Sequence, residues 1–203
     1  MNVPGADVVI VRHGDIGVKS THVQSWMEET LASNLGATLS ARSVDGHVEH
    51  HWGRLFVRTE STRSAAEAAA TVFGVVSVSP ARSVEPTLDS IGAALAETAR
   101  AVYDGGSFAV NATRAGDHEF TSQDVGRVGG EAIWEAVEDR FEPSVDLENP
   151  DVLFEVEVRD EEAFVFLERI DGPGGLPIGT QEPLVALVSG GIDSPVAAWL
   201  AMK

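Results

Sequence analysis

The sequence predicts an α+β protein: two consecutive units that mix helices with strands, then the opening strand, loop and helix of a third. Three observations predict it. Residues 1–80 read β-α-β-β-α-β. Residues 87–167 alternate amphipathic helices with apolar strands. Further on, the apolar run Leu184–Val188 meets Ser189-Gly190-Gly191-Ile192-Asp193-Ser194-Pro195.

Asp7–Arg12 (DVVIVR) is an apolar run of strand length, and His13-Gly14-Asp15-Ile16-Gly17 is a loop. Ser20 or Thr21 offers a helix cap. Val23, Trp26, Met27, Leu31 and Leu35 then recur at helical spacing, with Gly36 as the stop. Thr38–Val44 alternates as a strand, Asp45-Gly46 is a hairpin signal, and His47–Trp52 with Arg54–Arg58 supply the return. Ser61 begins a second helix through Ala65, Ala66, Ala69, Val72 and Phe73, closed by Gly74, and Val75–Val78 is a further strand. This order is the split βαβ, or ferredoxin-like, pattern, assigned to residues 1–80.

Residues 81–170 form the second unit. Thr87–Tyr103 is a helix with Leu88, Ile91, Leu95, Ala99 and Val102 on one face. Phe108–Ala112 is a strand, Thr113–Thr121 a polar loop, and Ser122 caps a long helix through Val125, Val128, Ile133, Trp134, Val137 and Phe141. Gly129-Gly130 weakens that helix by about 1 kcal/mol per glycine, which a close packing contact would justify. Val145-Asp146-Leu147, Val152–Arg159 and Phe164–Leu167 are strands. Every apolar stripe is assigned to core. Asp171–Thr180 is rich in glycine and proline, a flexible linker or an ordered strap, and the connector is taken as residues 171–183.

Leu184–Val188 reads as a short buried parallel strand, and Pro195 suits the first position of the helix that follows. A strand, a Gly-Gly loop and a helix N-terminus make an anion site, because the backbone can approach phosphate and the helix dipole favours negative charge. Ser189 and Ser194 add hydroxyl donors, and Asp193 reaches phosphate through Mg²⁺. The loop lacks the lysine of a Walker A motif. Elsewhere, His50 and His51 alternate to opposite strand faces, which argues against a shared metal, and Glu155 with Glu157 reads as a solvated acidic face.

Composition narrows the setting. No run of eighteen apolar residues exists, no secretory leader opens the chain, and there is no cysteine for a disulfide or thiolate site, so a cytoplasmic protein without a membrane span is expected. Thirty-two acidic residues face fourteen basic ones, a net charge of −18. With only Lys19 and Lys203 as lysines and many alanines and glycines, this balance matches adaptation to high salt. Residues 1–58 are near neutral, with six acids, five bases and five of the six histidines. That makes them the less repulsive part of the chain for a polyanion.

The Ser189–Ser194 loop resembles the SGGxDS loop of the PP-loop ATP pyrophosphatases. With the two upstream units, Gly174–Gln181, Asn149-Pro150-Asp151 and Gly116-Asp117-His118-Glu119-Phe120, the chain resembles the tRNA 4-thiouridine synthetase family, also implicated in making the thiazole of thiamine. The resemblance implies a THUMP-type RNA-binding domain for residues 81–170 and a PP-loop domain starting at residue 184. It implies ATP and Mg²⁺, with Leu187 and Val188 lining the nucleotide and Ser189, Gly190, Gly191, Asp193 and Ser194 at its phosphates. The implied partners are tRNA and a persulfide donor such as a cysteine desulfurase, with no membrane, and a second copy of the chain as a homodimer is the further candidate. Where the family's central loop is basic, this chain keeps Arg114, so Arg114, Arg127, Lys19 and Arg54 are the foremost RNA contacts, with His13 and Arg42 as further candidates. A parallel sheet does not bury one strand and one helix alone. Residues 184–203 are therefore expected to be a truncated nucleotide domain, and a non-catalytic tRNA-binding fragment is the alternative reading.

Overall fold

The computed structural model describes residues 3–14, 21–51 and 53–203. Two compact units divide the chain: Val9–Ser79 with Arg169–Lys203, and Pro80–Glu168 with the start of the chain through Val8.

The first unit opens with β1 (Val8–His13) and α1 (Thr21–Ala41), then β2 (His47–His51), β3 (Arg54–Arg58), α2 (Thr62–Ala69) and β4 (Val75–Val84). Neighbouring strands run β2-β3-β1-β4, as the split βαβ pattern requires. The elements inside that pattern differ from expectation. Gly36 does not stop α1, and Thr38–Ala41 is helical rather than strand. Leu31, Leu35 and Leu39 continue one face and are all buried. Burying a leucine contributes roughly 1.5–3 kcal/mol, more than the roughly 1 kcal/mol that a mid-helix glycine costs. The Thr38 hydroxyl donates to the Asn34 carbonyl (2.8 Å), so it is satisfied within the helix. The stop comes at Ser43, in the left-handed region at φ 54°. The Ser43 N–H donates to Ser40 O (3.1 Å) and the Val44 N–H to Leu39 O (3.0 Å), a Schellman closure.

Asp45-Gly46 therefore joins a helix to a strand, and the hairpin is β2–β3, antiparallel with His51 opposite Arg54. Trp52 and the cap residue Ser20 lie outside the described residues, as does the side chain of Thr21. The core of this unit packs Leu31, Leu35 and Leu39 with Val9, Val11, Leu55, Val57 and the alanine face of α2.

In the second unit α3 (Leu88–Val102) and α4 (Ser122–Val137) pack beside β5 (Ser107–Arg114), β6 (Ser144–Val145), β7 (Val152–Val158) and β8 (Ala163–Phe166). β5 pairs in parallel with β6 and β7, and β8 pairs antiparallel with β7 and with the second half of β4. Strand β6 stops before Asp146, and Arg114 belongs to β5 rather than to the loop. The cap of α4 is Thr121, not Ser122. Its Oγ1 accepts from the Asp124 N–H (3.2 Å) while Asp124 Oδ2 accepts from the Thr121 N–H (2.8 Å), a reciprocal box with aspartate in the usual glutamate place. Gly129 has the expected packing reason: a Cβ there would sit 2.5 Å from Leu95 Cδ1 on α3. Gly130 faces open space.

Glu155 and Glu157 are 7% and 3% exposed, so the face they share is buried rather than solvated. Asn111 Nδ2 donates to Glu155 (3.4 Å) and Arg159 Nε to Glu157 (3.1 Å), which makes their burial tolerable.

A short strand β9 (Ile170–Asp171) returns to pair with the first half of β4. Residues 172–180 are an ordered strap rather than a free linker: the N–H groups of Gly172 and Gly174 donate to Val76 O (2.8 Å) and Val75 O (2.7 Å). Leu184–Val188 is not a strand. Val185 and Leu187 are each 93% exposed, because no neighbouring strand among the described residues offers hydrogen bonds or cover. The last helix, α5 (Asp193–Met202), begins two residues before Pro195, which occupies its third position, where a missing N–H is still harmless. No described helix is long and apolar enough to cross a membrane.

Candidate functional site

The Ser189–Ser194 loop is tied across its own mouth. The Ser189 N–H donates to Ser194 Oγ (2.9 Å), the two hydroxyls lie 3.1 Å apart, and the Gly191 N–H points to Ser189 Oγ (3.4 Å). This cross-link holds six residues against the N-terminus of α5. The cap residue Ile192 supplies no side-chain acceptor, so the first N–H groups of the helix are left to an outside anion. A Cβ at Gly190 would meet nothing within 4 Å, which leaves the approach to the backbone open. Hydroxyls, backbone donors and a helix dipole fit a polyphosphate. Asp193 stands at the first helical position as a lone carboxylate. Among the described residues no group of three His, Asp or Glu side chains is placed to hold a metal ion. A divalent ion at Asp193 would therefore take most of its ligands from phosphate and water. Leu187 and Val188 are exposed, and the cavity beside them is lined instead by their neighbours Leu184 and Ala186 with Leu176 and Ala198.

The predicted RNA contacts fall on both units. Arg114, at the end of β5, is exposed, and its Nη1 donates to the Gly116 carbonyl (2.9 Å). Arg127 pairs with Glu131 one turn along α4 (3.2 Å), an exposed pair that offsets its charge. Arg54 lies on β3 and Arg42 donates to Thr71 Oγ1 (3.0 Å). Lys19 lies outside the described residues. His13 is a correction: its side chain is 7% exposed and sits 3.3 Å from Glu28 Oε1. Burial lowers its pKa below the ordinary histidine value despite the opposing pull of Glu28, so at neutral pH it is not a cation for phosphate.

Two features escaped sequence reasoning. Buried Glu28 on α1 gathers His13 and, at 3.0 Å, the still 37% exposed His50, while His51 approaches Glu49 (4.0 Å). The spacing of Glu28 one residue after Met27, beside the apolar face, is the only hint of this. Trp134, assigned to core, is 39% exposed. It walls a cavity of about 390 Å³ floored by Gly126 and Gly130 and edged by Arg127, Glu131 and Val145. The i, i+4, i+8 spacing of Gly126, Gly130 and Trp134 is a legible sign of that groove.

At the start of β5 the Asp151 carboxylate accepts from the Ser107 N–H and Oγ (both 2.8 Å). These bonds, the backbone one foremost, hold its pKa below the usual aspartate range. A depressed acid stabilises the fold above its unfolded value, about 3.9, and loses that contribution as pH falls through the folded value. Ser107→Ala removes the hydroxyl donor and keeps the backbone one. Asp151 is then expected to titrate higher in a carboxyl NMR titration, and acid unfolding followed by circular dichroism to begin at higher pH. An unmoved Asp151 titration would refute that coupling.

Three family models match successive stretches: the ThiI ferredoxin-like domain over residues 8–79, the THUMP domain over 85–168 and the thiamine biosynthesis protein ThiI over 179–203. A probable tRNA sulfurtransferase of Halobacterium salinarum is 66% identical, over 98% of this chain and 51% of its own length. One from Methanosarcina acetivorans is 48% identical, over 97% and 48%. The crystal structure of a 4-thiouridine synthetase–RNA complex with bound ATP superposes with a TM-score of 0.81 at 29% identity, covering 98% of this chain and 50% of that one. PH1313 from Pyrococcus horikoshii superposes at 0.76 with 34% identity, covering 86% and 58%. The chain spans about half the length of the curated relatives it matches.

Proposed function

Since the chain belongs, as an N-terminal part, to the ThiI tRNA sulfurtransferase family, we propose that it supplies tRNA recognition and the phosphate-binding loop for ATP-dependent 4-thiouridine formation at position 8 of cytoplasmic tRNA. The cross-linked Ser189–Ser194 loop at the start of α5, downstream of the ferredoxin-like and THUMP units, carries this reading. The uridine C4 oxygen attacks the α-phosphorus of ATP and pyrophosphate leaves. A persulfide sulfur then attacks C4 and AMP departs with the oxygen; a second thiol, also from outside this cysteine-free chain, cleaves the S–S bond that still joins that sulfur to its carrier, leaving 4-thiouridine and a disulfide. Pyrophosphate is stabilised as it leaves by the backbone donors of Gly190 and Gly191 and the hydroxyls of Ser189 and Ser194, while the Ser189 N–H braces the loop through Ser194 Oγ. Asp193 would hold a Mg²⁺, which would supply neutralisation of phosphate charge. The persulfide comes from outside this chain, which has no cysteine, and a cysteine desulfurase is the natural source. Sulfur transfer toward the thiamine thiazole would use the same loop.

The exposed Val185 and Leu187 support a second reading, in which this chain binds tRNA and leaves catalysis to the rest of the nucleotide domain. An ATP–pyrophosphate assay on the 203-residue chain, in molar KCl with Mg²⁺ and tRNA, separates the two. Pyrophosphate release supports the complete site, and tRNA binding without turnover supports the recognition fragment. Absence of both defeats the proposal.

Phosphate contacts provide salt-sensitive affinity. Arg127 is offset by Glu131, so Arg114 is the more available cation of the THUMP unit. Arg114→Ala is expected to weaken tRNA binding at moderate salt and to lower the slope of log K against log[salt] by about 1. An unaltered slope would take Arg114 out of the interface.

A further inference from the structure

We infer that Phe73 and the glycine-lined strap form a seat for α5, so that Phe73 is a positioning residue for the Ser189–Ser194 loop. The inference rests on the nucleotide reading of that loop. Helix α5 has ten residues and buries none of them. A helix of that length is marginal in water without tertiary support. Support is present at its far end. The Trp199 ring lies 5.4 Å from that of Phe73, tilted by 51°. Phe73 itself is 9% exposed, at the end of the chain turn after α2. The Leu176 N–H donates to Lys203 O (2.9 Å), closing the last turn of α5 onto the strap.

The strap is in turn fixed to the first unit. Besides its bonds to Val75 and Val76, the Gly74 N–H donates to Gly174 O (2.9 Å) and Asn34 Nδ2 to Ile178 O (3.0 Å). Two glycines permit this closeness. Gly74, at φ 96°, would place a Cβ 3.0 Å from Pro177 Cγ, and Gly175, at φ 73°, would drive one into the Lys203 carbonyl. Any other residue would lift the strap or the helix end. The chain of contacts from β4 through the strap and Phe73 to Trp199 therefore holds α5, and the loop at its N-terminus, without a sheet around Leu184–Val188.

The test uses the 203-residue chain in molar KCl, comparing wild type with Phe73→Ala, Phe73→Leu and Trp199→Ala. Trp199→Ala touches the seat from the exposed side, so it keeps the test valid if Phe73→Ala fails to fold. Hydrogen exchange at residues 196–203, Mg·ATP binding and tRNA binding are read together. Both alanine variants are expected to lose at least tenfold protection in α5 and to bind Mg·ATP at least fivefold more weakly. Affinity for tRNA should stay within twofold, and Phe73→Leu should retain most of the protection. Unchanged α5 protection overturns the seat. Protection lost with Mg·ATP binding unchanged overturns the positioning role. Protection lost in a chain whose wild type binds no Mg·ATP supports the seat and removes the nucleotide reading of the loop.

Discussion

Asp193→Ala, tested in a protein that carries the remainder of the nucleotide domain, is expected to reduce 4-thiouridine formation by at least about 100-fold, the scale for losing one electrostatic contact to a developing charge. Affinity for tRNA should stay within twofold. The reason is positional. Asp193 is the first residue of α5, beside the Ser189–Ser194 cross-link, and is the sole carboxylate of the loop. Hydroxyls and N–H groups can hold phosphate oxygens, but they cannot neutralise the charge that grows on departing pyrophosphate. A carboxylate-bound divalent ion can. Asp193→Asn is the informative companion, because it keeps a polar side chain at the helix start while removing the charge. Thiouridine content by absorbance and pyrophosphate release by coupled assay read the effect. Retained thiouridine in both variants would remove Asp193 from the chemistry.

The pattern β-α-β-β-α-β was legible because it depends on which residues are apolar, and the first unit obeys it. Where its elements begin and end was less so. Gly36 looked like a stop because local propensity favours one, yet Leu39 belongs to the buried face and outweighs it. The true stop, Ser43 in the left-handed region, carries no glycine to announce it. Leu184–Val188 failed in the opposite direction. Its composition suits a buried strand, but burial needs neighbours, and its side chains stand in solvent. The acidic pair Glu155 and Glu157 shows the same limit, since alternation identifies a shared face without saying what covers it. At the candidate site, the motif residues were readable from spacing. The partners that decide how much charge an arginine or histidine still offers were not. Glu131 beside Arg127 could be read from helical periodicity, whereas Glu28 beside His13 required the tertiary fold.

Phe154→Ala is expected to destabilise the unit that holds Arg114 by about 3–5 kcal/mol, the usual cost of emptying a buried aromatic site. Phe154 is fully buried on β7, opposite Val110 of β5. Its ring meets that of Phe108 edge-on at 6.3 Å, and Phe108 in turn meets Tyr103 at 6.1 Å. Tyr103 continues the series to Phe141 at 5.4 Å, and its hydroxyl donates to the Gly106 carbonyl. Removing one ring therefore leaves a cavity and breaks a run of edge-to-face contacts. For a unit of this size each kcal/mol moves the melting midpoint by about 4–8 °C, so a fall of at least about 12 °C should appear in thermal unfolding at molar KCl. Phe154→Leu fills more of the space and should lose less than half as much. The same strand pairing carries the functional consequence. β5 and β7 run in parallel from Phe108 opposite Val152 to Arg114 opposite Val158, so the position of Arg114 depends on the register that Phe154 helps hold. Phe154→Ala should then lose tRNA binding and fold together as temperature rises, while Arg114→Ala binds more weakly with its melting midpoint unchanged. A Phe154→Ala protein that melts within a few degrees of wild type would mean that this core closes over the cavity, and the aromatic series would not be what fixes the strand.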